Sequence, residues 1–241
     1  MFDLKGKKIL VTGATRGIGF AIAKCLSDFG AMVFVNGTDE ERVKKAVSQI
    51  PNSIGAVCDL SLENCAEILY EKTGDIDILV SNASVQIRRA WDEITSEEFD
   101  KQMTVNFKSP FKLIQKYVPY MKEKRWGRVI TIGSIQEARP HKDMVVYAAL
   151  KSAQTAMVMN LSKQFAPYGI TVNNVAPGVI DTSRNKEVLS DEEYRKKILD
   201  GIPCGYVGEP EDCAAQVLLL CSEEGRYITG ESIFVDGGMK L

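Results

Sequence analysis

Short apolar runs alternate along the whole chain with longer stretches whose apolar residues recur at helical spacing. The apolar runs span residues 8–12, 31–36, 54–58, 76–81, 127–133, 169–175 and 231–236. The stretches with helical spacing cover residues 17–29, 39–49, 62–72, 96–124, 145–167 and 209–222. Continuous apolar runs are typical of strands buried on both faces, and their alternation with helices predicts a parallel sheet covered on both sides. With right-handed crossovers, we predict an α/β fold: a doubly wound, mostly parallel sheet of about seven strands.

A single domain is expected over residues 1–241, because no gap between these elements is wide or polar enough to mark a boundary. Residues 181–206 interrupt the alternation with many charged side chains. This segment is either a solvated helical excursion or a lid over a site at the carboxyl ends of the strands. Ligands of doubly wound sheets bind at that edge, so we favour the lid.

Charge and cysteine usage argue against several classes of function. The formal net charge is −2 and the pI about 5.7, which leaves no basic footprint for nucleic acid. No apolar run reaches the ~18 residues of a membrane span, and the first residues show no signal peptide, so we expect a cytoplasmic protein. The six cysteines form no C-x-x-C pair, and the single histidine, His141, has no cysteine near it. We therefore expect reduced, mostly buried thiols and no metal site.

A glycine-rich turn follows the first predicted strand and opens the first helix. Residues 12–19 read TGATRGIG, where Gly13, Gly17 and Gly19 allow a tight turn and the close approach of a ligand. The free N–H groups and the positive dipole end of the helix suit a pyrophosphate. The spacing differs from the G-x-G-x-x-G dinucleotide fingerprint, so the prediction of a nucleotide site depends on the strand–turn–helix context.

The end of the second predicted strand favours NADP(H) over NAD(H). NAD-binding proteins place an acidic side chain there for the ribose 2′-hydroxyl, whereas this chain has Asn36, Gly37 and Thr38 and no acid before Asp39. No carboxylate would then repel a 2′-phosphate. Arg16, in the glycine turn, could bind that phosphate with two hydrogen bonds.

Two tyrosines each precede a lysine by four residues, Tyr147–Lys151 and Tyr120–Lys124, which places each pair on one helix face. The pKa of free tyrosine is near 10, and a cation one turn away favours the phenolate. Ser134 ends the fifth predicted strand, 13 residues before Tyr147, where its hydroxyl could hold a substrate oxygen. We therefore predict that Tyr147 and Lys151 are catalytic and that the other pair, which lacks such a serine, lies on the surface.

Beyond these motifs, essentially the whole chain resembles the short-chain dehydrogenase/reductase family. The resemblance rests on TGATRGIG, Asp59 in CDL, SNAS at 81–84, Asn106 in VNF, IGS ending at Ser134, YAALK at 147–151, VNNVAPGVIDT at 172–182 and VDGG at 235–238. It implies a single-domain Rossmann fold and an oxidoreductase that acts on a secondary alcohol or ketone. It also implies a homotetramer paired partly through the helices that carry Asn106 and Tyr147.

The resemblance further implies roles for individual residues. Tyr147 would be the general acid/base, Lys151 would lower its pKa and bind the nicotinamide ribose, and Ser134 would orient the substrate carbonyl. Asn106 would hold a water in a proton relay through Lys151. The residues expected to bind the cofactor are Gly13, Thr15, Arg16, Gly17, Ile18, Gly19, Thr38, Asp59, Leu60, Asn82, Ala83, Tyr147, Lys151, Pro177, Gly178, Val179, Ile180 and Thr182.

One position departs from the family pattern. The family usually has N-N-A-G where this chain has Ser81, Asn82, Ala83 and Ser84. If the glycine position needs a positive φ, Ser84 would carry backbone strain.

The sequence suggests two kinds of substrate. VQIRR at 85–89 and the opening FDLKGK resemble gluconate 5-dehydrogenases, and Arg88, Arg89, Arg139 and His141 could then bind a carboxylate, with Ser134 and Gln136 also expected at the substrate. By contrast, residues 124–134 and 227–239 resemble 3-oxoacyl-acyl-carrier-protein reductases. Those enzymes bind their carrier protein through a pair of basic residues. Arg125 matches one residue of that pair, but Tyr168 stands where the second arginine is expected. We favour a small polar hydroxy or keto compound such as a sugar acid. The carrier-protein reductase and a non-catalytic nucleotide-binding regulator remain alternatives.

Overall fold

The computed structural model describes residues 2–241, with the backbone alone at 187 and 188. The strands are β1 (Lys8–Val11), β2 (Met32–Gly37), β3 (Ser53–Val57), β4 (Ile78–Ser81), β5 (Gly127–Ile132), β6 (Ile170–Pro177) and β7 (Ser232–Val235). The α-helices are α1 (Gly17–Asp28), α2 (Glu40–Val47), α3 (Cys65–Thr73), α4 (Ser96–Met103), α5 (Ser109–Lys124), α6 (Val145–Phe165), α7 (Lys186–Ser190), α8 (Glu192–Leu199) and α9 (Pro210–Cys221).

The strands form one sheet in the order β3-β2-β1-β4-β5-β6-β7, and every neighbouring pair is parallel. The predicted doubly wound α/β fold is confirmed, with a sheet that is parallel throughout. The chain direction across the sheet reverses between β1 and β4. In such sheets this reversal opens a crevice beyond the carboxyl ends of the strands, where ligands bind.

Each face of the sheet carries its own hydrophobic core. Ile9 and Val11 of β1 pack on one face in a cluster that also contains residues of α1, α2 and α9. Leu10, between them, packs on the other face with residues of α3, α5 and α6. Because both faces are buried, both alternate positions of the central strands are mostly apolar, which explains the continuous apolar runs.

The helical stretch predicted at 96–124 is divided in the structure. A π-helical turn, Thr104–Lys108, separates α4 from α5. At this turn Asn106 is 1% exposed, and its side chain bonds both backbone groups of Val85: Oδ1 accepts from N at 2.9 Å and Nδ2 donates to O at 2.7 Å. Turns of this kind often occur at functional sites, and this one holds the loop that follows β4.

The charged segment at 181–206 contains the two short helices α7 and α8. Asp191 caps α8 by accepting a hydrogen bond from the backbone N–H of Tyr194 at 2.9 Å, and its carboxylate also suits the positive helix end.

Four of the six cysteines are buried, in agreement with the prediction that most of them are. Within the described residues, no helix is long and apolar enough to cross a membrane.

Candidate active site

A cleft of about 630 Å³ follows the carboxyl edge of the sheet. One end is lined by Thr38, Arg42 and Asp59, beyond β2 and β3, and the other by Ser134 and Tyr147, beyond β5. Of the residues expected to bind a cofactor, every one except Lys151 lines this cleft. The structure thus brings the glycine turn and the tyrosine into one elongated space.

The glycine turn lies where β1 and β4 separate. Asn82 Nδ2 donates to the carbonyls of Thr12 at 2.9 Å and Gly13 at 3.0 Å, which joins the two strand ends. Gly13 has φ +62°, and a Cβ there would come within 2.9 Å of the Ala83 Cα; one at Gly19 would collide with the Asn82 amide. The backbone therefore approaches this space as closely as only glycine permits.

The first turn of α1 fits a pyrophosphate. Arg16 stands at its N-cap in extended conformation, and its side chain makes no capping hydrogen bond to the helix N-terminus. The first turn also contains no acidic residue. Uncapped N–H groups at a positive dipole end, bordering a cleft, form an anion site.

The far end of the cleft would take the adenosine part of a dinucleotide. Asn36 has a structural role: Oδ1 accepts from the Gly13 N–H at 3.3 Å, and Nδ2 donates to two carbonyls of the β3 region. Thr38, Asp59 and Arg16 all line the cleft. Arg42 also lines this end, which the sequence alone did not indicate because an exposed helical arginine carries no distinguishing pattern.

Ser134 is held by the buried polar network beneath β5. It begins a 3₁₀ turn, Ile135–Glu137, and its Oγ accepts from the Gln136 N–H at 3.2 Å. Glu137 anchors that turn by accepting from Asn174 Nδ2 at 3.1 Å and Thr155 Oγ1 at 3.0 Å. The serine hydroxyl consequently projects into the cleft from a fixed backbone.

Tyr147 lies deep in the same end of the cleft and is 4% exposed. Burial raises the pKa of its hydroxyl, against the opposing charge of Arg184 and the nearby hydroxyls of Ser134 and Ser84. The tyrosine is therefore protonated and ready to donate, while its surroundings contain groups that stabilise the phenolate.

Lys151 and Asn106 stand behind this tyrosine and do not line the cleft. Lys151 Nζ donates to the Ile132 carbonyl at 2.6 Å and to Gln154 Oε1 at 3.1 Å. Burial, followed by the charge of Arg184, lowers the pKa of Lys151 to about 7, against the attraction of Glu137.

The residues predicted for substrate binding divide into two sets. Gln136, His141 and Arg88 line the cleft beside Ser134. Arg139 does not, and its Nη1 donates to the Met239 carbonyl. Arg89 is also engaged elsewhere, because its Nε bonds both carboxylate oxygens of Glu98, at 2.8 and 3.1 Å.

The second Tyr–Lys pair lies away from the cleft. Lys124 Nζ is 5.1 Å from the Tyr120 ring centroid near the end of α5. Asp77, which precedes β4, raises the pKa of Lys124, after the larger effect of Tyr120 itself. This pair is at the amino ends of the strands, as predicted for a surface pair.

Part of the segment at 181–206 lines the reacting end of the cleft. Its residues Thr182, Arg184 and Tyr194 are among those that line the space. Arg184 donates to Ser84 twice, from Nη1 to Oγ and from Nη2 to the carbonyl, each at 3.0 Å. Ser84 does not have a positive φ, so the strain considered for this position does not arise.

Within the described part of the chain, no cluster of three His, Cys, Asp or Glu side chains could hold a metal ion.

Comparisons with known proteins agree with this geometry. A family model described as enoyl-(acyl carrier protein) reductase matches residues 13–240. The chain is 37% identical to the 3-oxoacyl-[acyl-carrier-protein] reductase FabG of Rickettsia prowazekii over 242 residues, which cover 100% of both chains. A solved 3-oxoacyl (acyl-carrier-protein) reductase from Agrobacterium tumefaciens with NADP bound has a TM-score of 0.92 and 34% identity, covering 98% of this chain and 95% of that one. A gluconate 5-dehydrogenase from Burkholderia cenocepacia in complex with NADP and tartrate has a TM-score of 0.91 and 28% identity, covering 99% and 96%.

Proposed function

The chain belongs to the short-chain dehydrogenase/reductase family, and from that membership we propose that it transfers a hydride between NADP(H) and a small polar hydroxy or keto compound. The observation that carries this proposal is the meeting of the Ser134 and Tyr147 hydroxyls at one end of the cleft. A phenol and a second hydroxyl at one point suit a carbonyl oxygen that gains and loses a proton.

Each of the four predicted catalytic residues has a role in this proposal. When bound, NADP(H) supplies or accepts the hydride. Tyr147 donates a proton to the carbonyl oxygen during reduction and removes it in the reverse direction, while the Ser134 hydroxyl orients that oxygen. Lys151 replenishes the proton from behind, through water held near Asn106. The lowered pKa of Lys151, about 7, suits proton exchange at neutral pH.

NADP(H) is proposed over NAD(H) because of the charges at the adenosine end. Arg16 and Arg42 both line the cleft around Thr38. Asp39, the first acid after β2, accepts a hydrogen bond from the Arg42 N–H at 2.8 Å, which engages its carboxylate as the cap of α2. Two guanidiniums around a neutral side chain suit a 2′-phosphate.

A sugar acid or related hydroxy acid is the substrate we propose. Arg88 and His141 line the reacting end, and Arg88 Nη2 lies 3.3 Å from Nε2 of His141 and 3.4 Å from the Tyr194 hydroxyl. These polar groups suit several substrate hydroxyls and a carboxylate. The similarity to a gluconate 5-dehydrogenase crystallised with tartrate also supports a small hydroxy acid.

The proposal is tested by cofactor oxidation with the purified protein. NADPH and NADH are offered separately with 5-ketogluconate, with related keto-sugar acids and with acetoacetyl-CoA. Turnover of a keto-sugar acid with NADPH supports the proposal, and turnover of acetoacetyl-CoA alone overturns its substrate.

A 3-oxoacyl-acyl-carrier-protein reductase is the second candidate, favoured by the 37% identity to FabG. In that case Arg125 would contact the acyl carrier protein. Arg125 Nη2 donates to the Pro167 carbonyl at 2.8 Å, and Tyr168 beside it is 38% exposed. With Tyr168 in place of a second arginine, this surface is less basic than the surface with which such reductases bind the acyl carrier protein.

We also propose that the chain acts as a homotetramer in the cytoplasm. Helices α5 and α6 carry large apolar side chains with exposed surface: Phe111 at 39%, Val145 at 47% and Met159 at 54%. Their burial between subunits would remove apolar surface from water.

A further inference from the structure

Arg184 connects two separate parts of the reacting end. It follows β6 in the segment before α7, and its guanidinium reaches the loop after β4. Both Arg184 bonds to Ser84 measure 3.0 Å, one to the hydroxyl and one to the backbone carbonyl. These bonds fix the orientation of the guanidinium and use only part of its donor capacity.

The guanidinium of Arg184 lies close to the reacting hydroxyl. Burial has the largest effect on the pKa of Tyr147 and raises it. Among the groups that lower this pKa, the positive charge of Arg184 has the largest effect. The same charge contributes to the lowered pKa of Lys151. A group that acts on both residues, and that lines the cleft itself, stands within reach of a substrate bound at Tyr147.

No acidic side chain that the structure describes lines the cleft at this end to balance the charge. Among the described residues that line it, the acids are Asp39 and Asp59, both at the adenosine end. In the same part of the chain, the ion pairs include neither Arg184 nor Arg88. Two guanidiniums beside the proton donor therefore leave the reacting end positively charged, which favours an anion.

We propose that Arg184 binds a carboxylate of the substrate close to the reacting carbon, so that the enzyme selects short hydroxy and keto acids over neutral analogues. A guanidinium matches the two oxygens of a carboxylate in one plane. Ser84 anchors it with a hydroxyl that glycine, usual at this family position, does not offer. This inference deepens the proposed function and rests on it for the identity of the reacting group.

The first test measures binding without turnover. D-gluconate carries a carboxylate at the position where sorbitol carries a CH₂OH group. Each is titrated into the protein loaded with NADPH, with NADPH fluorescence as the signal. Wild type should bind gluconate more tightly than sorbitol. R184Q should weaken gluconate binding by about tenfold or more, the size expected for a charge-assisted hydrogen-bonded pair, and leave sorbitol binding unchanged.

Two variants and one control exclude a general structural effect. R195Q removes an exposed arginine of α8 outside the cleft and should leave gluconate binding unchanged. S84G removes the anchoring hydroxyl but keeps the carbonyl, so it should weaken gluconate binding less than R184Q does. R184K, which keeps the charge without the planar donor pair, should fall between R184Q and wild type. Thermal unfolding of each variant establishes that it is folded.

The second test separates this inference from the proposed function. Acetoacetate and ethyl acetoacetate present the same ketone beside a carboxylate or a neutral ester. R184Q should raise KM for acetoacetate by a larger factor than KM for the ester, whereas any change in kcat caused by the lost charge beside Tyr147 should be the same for both ketones. Equal binding of gluconate to wild type and R184Q, or no wild-type preference for gluconate over sorbitol, overturns the role of Arg184. Failure of the wild type to reduce any ketone overturns the proposed function, and the binding comparison still decides on Arg184.

Discussion

Lys151 Nζ lies 5.5 Å from the centroid of the Tyr147 ring and donates its hydrogen bonds elsewhere, to the backbone carbonyl of Ile132 at the end of β5 and to Gln154. The spacing of four residues brings the two side chains to one helix face. Burial then decides the charge, because a lysine that is 2% exposed and has a pKa of about 7 is only about half protonated at neutral pH. In this structure the permanent cation whose charge lowers the pKa of the tyrosine, against the larger effect of burial, is Arg184.

Replacing Tyr147 with phenylalanine should abolish turnover and leave NADPH binding nearly unchanged. The substitution removes the proton donor but keeps the ring that packs in the cleft, and general acid–base catalysis contributes about 10²–10⁴-fold to rate. We would measure kcat with the best ketone and the Kd of NADPH by fluorescence. Tyr120→Phe, in the matching pair on α5, serves as the control and should retain full activity. Full activity in the Tyr147 variant would show that the catalytic assignment is wrong.

Replacing Lys151 with methionine should stabilise the protein more at low pH than at high pH. The pKa of Lys151 is about 7 in the fold, against 10.5 for an ordinary lysine side chain. The unfolded chain therefore binds more protons between these values, and stability rises with pH across that window. Below about pH 7 Lys151 is charged in both the folded and the unfolded state, so the free-energy cost of burying its charge is fully present. This cost falls as the pH rises and has nearly vanished at about pH 10.5.

The stabilisation caused by Lys151→Met, as a free energy of unfolding, should be about 2.5 kcal/mol larger at pH ~6.5 than at pH ~9. It is measured by urea titration of wild type and Lys151→Met at both values. A stabilisation by Lys151→Met that does not depend on pH would mean that the lysine is not held partly neutral by burial.

Most of the fold was predictable because it depends on short-range patterns. The run at 8–12 became Lys8–Val11 and the run at 169–175 became Ile170–Pro177, since strands buried on both faces leave an apolar signal at every position. The π-helical turn at Thr104–Lys108 was not predictable, because residues 96–124 keep helical spacing throughout. The extra residue there is stabilised by Asn106 bonding to Val85, 21 residues away.

The site was predictable where glycines, strand ends and the Tyr–Lys spacing mark it. Arg184 was missed because its partner, Ser84, lies 100 residues away along the chain. The one local signal was Ser84 itself, because a serine at the usual glycine position adds a hydroxyl that can bond a distant residue. Arg139 and Arg88 looked alike in sequence, and only the fold distinguishes them.

Replacing Thr38 with aspartate should reverse the preference for NADPH. A carboxylate at this position would repel a 2′-phosphate and accept a hydrogen bond from a 2′-hydroxyl. We expect the ratio of kcat/KM for NADPH to that for NADH to fall by about tenfold or more. Thr38→Asn, which has the same shape without the charge, is the control. If both variants keep the wild-type ratio, the 2′-phosphate does not lie at Thr38.

Replacing Gly19 with alanine should weaken NADPH binding by about tenfold or more. The new methyl group would collide with the Asn82 side chain and the Gly13 carbonyl, and thereby displace the turn that faces the pyrophosphate. NADPH fluorescence gives the Kd. Gly201→Ala is the matched control, because its Cβ would meet the nearest atom, the Ile198 carbonyl oxygen, at an ordinary 3.4 Å. An unchanged Kd in the Gly19 variant would place the pyrophosphate elsewhere.

Arg88 and Arg139 should respond differently to the same substitution. Arg88 lines the reacting end of the cleft, whereas Arg139 lies outside it and bonds the Met239 carbonyl. Because a carboxylate or hydroxyl of a keto-sugar acid can reach only the first, Arg88→Gln should raise KM for 5-ketogluconate by about tenfold, and Arg139→Gln should leave it unchanged. Steady-state kinetics at saturating NADPH measure both. A rise in KM for the Arg139 variant alone would mean that the substrate contacts Arg139, beside Met239 near the C-terminus, and not Arg88. Equal rises in KM for both variants would mean that the substrate responds to the summed positive charge of the two arginines and not to direct contact.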